Sequence, residues 1–126
     1  MIEEAYCSFE VSKLLKDKGF DEPTLSYYKS NKVNYGALIN RNGISDIVCR
    51  PTHQMALAWL RSKGIFITIG CNRGREDYSY CVMPMDIHLD QHTVANIPTY
   101  EQAEEQAIVW ALNHHELMNI DLSPKT

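Results

Sequence analysis

From Glu3 to Lys18 the apolar positions Cys7, Val11, Leu14 and Leu15 recur at helical spacing. Glu3 and Glu4 stand at the positive end of the helix dipole and Lys16 and Lys18 at the negative end. This predicts a surface helix with one buried stripe. It stops in "LKDKGF", where Gly19 can take the left-handed conformation and Phe20 can fold back onto Leu15. The same ending returns in "LRSKGI", with Gly64 followed by Ile65 against Leu60, and shared stop chemistry accounts for it without an internal repeat. That second helix also has a start signal. Pro51 fixes the entering chain, Thr52 offers a hydroxyl to the first-turn amides, and Met55, Ala56, Trp59 and Leu60 line one face.

After Gly64 the period changes from helical to extended. "IFITIG", the turn-like "NRGRED" and a second run "YSYCVMPM" predict a hairpin with a polar, arginine-bearing tip. Upstream, "TLSYYKS" and "VNYGALI" flank "SNK", and Asn42-Gly43 offers a turn before "ISDIVC", which predicts two or three further short strands. Thr99 and Gln102 form a capping box for a last helix in which Tyr100, Ala103, Ala107, Trp110, Ala111 and Leu117 make the inner stripe. Glu101, Glu104 and Glu105 take its outer, solvated face.

Strands arriving in hairpin pairs between helices point to an α+β, two-layer domain of order α-ββ(β)-α-ββ-α. It would have three helices on a mostly antiparallel sheet of four to five strands. With 126 residues, 44% of them hydrophobic, residues 1–126 are expected to share one core as a single globular domain.

Charge and cysteine usage narrow the function classes. A net charge of -4, with both signs mixed along the chain, gives no global attraction to nucleic acid or to anionic membranes, so any phosphate contact must be a local patch. "MIEEAYCSFE" carries acids where a secretory signal carries bases, and no apolar run approaches the ~20 residues that cross a bilayer, so a cytoplasmic location with no membrane partner is expected. Cys7, Cys49, Cys71 and Cys81 are scattered singly, never as C-x-x-C, and are expected to be free thiols.

Several constellations invite a chemical reading. Cys49 and His53 flank the start of the second helix, where a thiol next to a base could become a nucleophile. The simpler expectation is that Cys49 points into the sheet and His53 faces water, opposite the Met55/Trp59 stripe. Asp86, His88, Asp90 and His92, in "DIHLDQH", fall at every second residue and would share one face of a strand; carboxylates and imidazoles suit zinc, manganese or iron. The same alternation also fits an edge strand with Ile87 and Leu89 buried, and it matches neither H-E-x-x-H nor paired-cysteine spacing. His114 and His115 favour the negative end of the last helix. "GCNRG" lacks the spacing of a phosphate loop, and no cofactor is expected. Arg73 and Arg75 at the hairpin tip, with Tyr78 and Tyr80 alternating behind them, could form a basic, aromatic surface for single-stranded nucleic acid. Against that stand Glu76 and Asp77, which nearly neutralise the tip, and the ordinary preference of half-buried strands for tyrosine.

Three stretches, "YCSFEVSKLLKDKGF", "PTHQMALAWLRSKGIFITI" and "TYEQAEEQAIVWAL", resemble small proteins with no assigned activity from phages and mobile elements of gut Bacteroidales bacteria. They cover under half of the chain, and "VNYGALINRNGISDIVC" departs from that family's pattern. The resemblance implies a phage or mobile-element origin and a cytoplasmic host setting, with no mechanism and no functional residues. The function expected from all of this is a non-enzymatic interaction domain acting through a protein partner or self-association. Nucleic-acid binding through Arg73, Arg75, Tyr78 and Tyr80 is the alternative, and a metal-dependent enzyme at Asp86 to His92 is the weaker one.

Overall fold

The structure, a computed structural model, describes residues 3–124. The fold is α+β. In chain order the elements are α1 (Phe9–Asp17), β1 (Thr24–Lys29), β2 (Lys32–Ile39), β3 (Ile47–Cys49), α2 (His53–Ser62), β4 (Ile65–Asn72), β5 (Asp77–Pro84), β6 (His92–Ile97) and α3 (Tyr100–His114), followed by a 3-10 turn at His115–Met118. Two compact units divide them. One takes the chain up to Trp59 together with the segment from Leu122, and the other is Leu60–Asp121.

The expected single sheet of four to five strands is replaced by two antiparallel sheets of three strands, ordered β2-β1-β3 and β4-β5-β6. The reason is local closure. β1 takes its hairpin partner β2 on one edge and the returning β3 on the other, so both its edges are filled by neighbours in sequence. β5 does the same with β4 and β6, and β6, from "HTVANI", is a third strand between α2 and α3 where the expected order α-ββ(β)-α-ββ-α has two.

In the first unit, α1 starts later than its periodicity predicts. Ser8 caps it by accepting from the Val11 amide at 3.3 Å, while Tyr6 is drawn into an extended bridge with Thr52, so Glu3 and Glu4 lie outside the helix. Its predicted stop is present: Gly19 has φ +103°, the Phe20 amide donates to the Leu15 carbonyl at 2.9 Å, and Phe20 is buried. Thr52 caps α2 through the Met55 amide at 3.1 Å. Trp59 is buried edge-on against Phe20, with ring centroids 5.5 Å apart, and its indole N–H donates to Asp21 Oδ1 at 3.2 Å. His53 is buried instead of facing water, because it shares the line of α2 that carries Ala56 and Leu60.

In the second unit, Gly64 has φ +94° and hands the chain from α2 directly to buried Ile65. Thr99 caps α3 through the Gln102 amide at 3.1 Å. α3 packs across β4, β5 and β6 on an arc that differs from its predicted stripe: Ile108 and Leu112 join Ala103, Ala107 and Ala111, while Tyr100 is exposed and Trp110 half-buried. Glu104 lies inside that arc and is buried, which corrects its assignment to the solvated face, while Leu117 falls beyond the helix and is exposed.

Candidate functional site

The most accessible apolar surface of the first unit is its sheet edge, and the sequence builds it in steps. Ser30 and Asn31, with φ +52° and +64°, form a tight left-handed turn that returns the chain as β2. Register then places Val33 opposite Tyr28 and Tyr35 opposite Ser26, with an irregularity before Ile39 meets Thr24. β2 has β1 on one side only, so its other edge presents a row of backbone donors and acceptors. Every residue of β2 except Asn34 is exposed, including Val33, Tyr35 (70%), Leu38 (59%) and Ile39. Leu25 on β1 and Ile44, in the loop between β2 and β3, are exposed as well.

One side chain crosses beneath this sheet. Arg50 leaves the end of β3 with its guanidinium 3.8 Å from the centroid of the Tyr6 ring and 5.8 Å from that of Tyr28. Its Nη1 donates to the Tyr35 hydroxyl at 3.5 Å. Tyr28 is held in place from below, donating its hydroxyl to the Cys7 carbonyl at 2.8 Å and taking the edge of Phe9 at 5.4 Å. Arg50 Nε is buried and, among the described residues, has no acceptor. Nothing in the sequence singles Arg50 out; it closes an apolar run before a proline, and the tyrosines around it come from three distant positions.

The residues singled out at the other hairpin are divided by the structure. Arg73 and Tyr78 line one open hollow of about 510 Å³ with Thr99 and Tyr100, and the Tyr78 and Tyr100 rings meet edge-on at 6.0 Å. Arg75 turns instead to Asp77, 3.9 Å away. Tyr80 is buried, so it offers no stacking platform; its hydroxyl lies 3.2 Å from His92 Nε2. Burial raises the Tyr80 hydroxyl above its ordinary pKa, and burial followed by the charges of Glu104 and Glu101 raises Tyr100.

The stretch Asp86, His88, Asp90 and His92 is not one strand. The first three lie in the turn between β5 and β6, where the His88 amide donates to Asp86 Oδ1 at 2.9 Å and the Leu89 amide to the Asp86 carbonyl at 3.1 Å. Only His92 is in β6. Its ring stacks on Trp110 at 4.0 Å, and His114 covers the opposite face of the indole at 4.4 Å. Among the described residues these four side chains form no group whose ligand atoms converge on an ion. Cys49 accepts from the Arg41 amide through Sγ at 3.1 Å, and the thiol within 4.8 Å of a His53 ring nitrogen belongs to Cys7.

Compared with protein-family models, with curated proteins and with solved structures, the chain matches none. No helix among the described residues is long and apolar enough to cross a membrane.

Proposed function

We propose that the chain is a non-enzymatic interaction domain, of phage or mobile-element origin, that receives an extended segment of a protein partner along β2. The observation that carries this reading is the strand itself: eight residues at a sheet edge, no proline, nearly all exposed, and apolar at Val33, Tyr35, Leu38 and Ile39. An edge of this length is normally blunted by charge, proline or cover, and β2 has a single charge, at its first residue. An added strand would hydrogen-bond the open backbone row and set its alternate side chains beside those of β2 on each face of the sheet. The test is a displayed library of random decapeptides panned against the wild-type chain and against a Val33→Lys, Leu38→Lys variant. Peptides of alternating pattern should enrich on the wild type only and shift backbone amide resonances confined to β2. Enrichment that ignores the two lysines, or shifts elsewhere, defeats the proposal. Light scattering over a range of chain concentrations asks in parallel whether a second copy is the occupant.

A second reading has its own observation. Arg73, Tyr78 and Tyr100 line one hollow and offer a cation and two ring edges to a single-stranded nucleic acid. Here Arg73→Ala with Arg75→Ala should weaken oligonucleotide binding and flatten its salt dependence; an unchanged salt slope rejects that surface.

A further inference from the structure

We infer that Arg50 and Tyr35 form an anion receptor beside β2, and that the segment received there carries an acidic side chain at one fixed position. The inference rests on the strand-addition reading and specifies the partner's chemistry. Arg50 carries a permanent charge, yet among the described residues no carboxylate lies within ion-pairing distance of it. Its described neighbours are the Tyr6 and Tyr28 rings and the Tyr35 hydroxyl, and its buried Nε has no acceptor among the described residues. Guanidinium groups held in folded chains normally meet a carboxylate or carbonyl set, because an unanswered buried donor forfeits hydration without replacement. Arg50 reaches from the end of β3 past the Tyr28 ring of β1 and donates, at the exposed surface, to the hydroxyl of Tyr35 on β2, the strand whose other edge is open. The ring of Tyr6 covers one face of the guanidinium, and a cation–π contact of this kind leaves the in-plane N–H groups free to donate. Lys29 and Lys32, paired across the end of the same hairpin, add positive charge to the edge, and complementarity therefore favours an acidic segment.

A phosphodiester chain would also satisfy one guanidinium, but it cannot pair with the backbone row of β2, and the net charge of -4 opposes it. Peptide is therefore the occupant these observations favour, and nucleic acid is an outcome of the test.

The decapeptide selection decides the matter when repeated on Arg50→Gln and Tyr35→Phe, with far-UV circular dichroism and thermal midpoints to establish that both are folded. On the wild type, enriched peptides should hold Asp or Glu at one position of the alternating pattern. A synthetic representative should bind Arg50→Gln at least ten-fold more weakly, and changing its acid to the amide should cost the wild type the same factor while costing Arg50→Gln nothing. Tyr35→Phe, an exposed substitution, should weaken binding by a smaller factor. Enriched strand-like peptides with no acidic position overturn the receptor and leave strand addition standing. A selection that enriches no strand-like peptide overturns both. Binding of a thirty-nucleotide oligothymidylate that disappears in Arg50→Gln overturns the peptide assignment in favour of nucleic acid.

Discussion

A Cβ atom placed on Gly36 would lie 2.6 Å from Nη2 of Arg41. The close approach has a purpose, since Arg41 is buried and donates from Nη1 to the Thr24 carbonyl at 3.2 Å and from Nη2 to the Ala37 carbonyl at 2.8 Å, with its guanidinium 4.4 Å from the Tyr27 ring centroid. These contacts bridge β1 and β2 where their register is irregular, between Ser26 opposite Tyr35 and Thr24 opposite Ile39. Glycine at this position is a requirement of space, not of backbone angle.

Gly36→Ala should therefore destabilise the fold by about 1 kcal/mol, because the guanidinium can make room only by giving up a hydrogen bond to the Thr24 or Ala37 carbonyl. The check is urea unfolding as a double-mutant cycle with Arg41→Ala. In the Arg41→Ala background the added methyl has nothing to strike, so the two changes should be non-additive by about 0.5–1 kcal/mol. Simple additivity would mean that the guanidinium is not where the cycle assumes.

Trp59→Ala should cost about 3–5 kcal/mol, since the ring is buried against Phe20 and its N–H is bonded to Asp21. Trp59→Phe keeps most of the apolar volume and loses the donor, so its cost should be well below that of alanine. Equal losses for the two variants would show that the Asp21 hydrogen bond, and not packing, holds the residue.

What the sequence makes legible follows the range of the interactions involved. Gly19, Gly64, Thr52 and Thr99 act within one helical turn, and all four take the roles their local patterns predict. The split into two sheets is set by which strand meets β1 and β5 across tens of residues, and no local pattern reports it. His53 and Glu104 are polar types that tertiary packing buries, His53 on the line of Ala56 and Leu60, Glu104 within an arc that takes in Ile108 and Leu112. For the candidate site the contrast is sharper. "VNYGALI" reads as a strand, but its place at an open edge, and the meeting of Arg50 with Tyr6, Tyr28 and Tyr35, exist only in the assembled sheet.

Alkaline pH should destabilise the chain through Tyr80. Burial raises its pKa above the ordinary 10.0, so the folded state holds the phenolic proton more tightly than the unfolded state does. The contribution is fully present below pH 10.0 and is lost as pH climbs from there through the raised folded value. The thermal midpoint should accordingly fall more steeply above that pH for the wild type than for Tyr80→Phe. Tyr100 shifts in the same direction, so Tyr100→Phe serves as the comparison, with a smaller effect because that residue is more exposed. Identical alkaline profiles for wild type and Tyr80→Phe would contradict the burial of the hydroxyl.

The hairpin that delivers β2 offers the last prediction. Ser30 and Asn31 both hold positive φ, the geometry of a two-residue turn whose twist matches the strands it joins, and an L-residue other than Asn or Asp accepts that conformation at a cost. The double substitution Ser30→Asn with Asn31→Gly supplies the Asn-Gly pair this turn favours, and should raise stability by roughly 1 kcal/mol. Because Lys29 stays opposite Lys32 and Tyr28 opposite Val33, the register of β2 is unchanged, and capture of strand-like peptides should be retained at equal or higher affinity. A variant that is more stable yet no longer captures them would mean that mobility of the turn, and not the preformed edge, is what admits the partner. A variant that is less stable would mean that the two residues do not form this turn in solution.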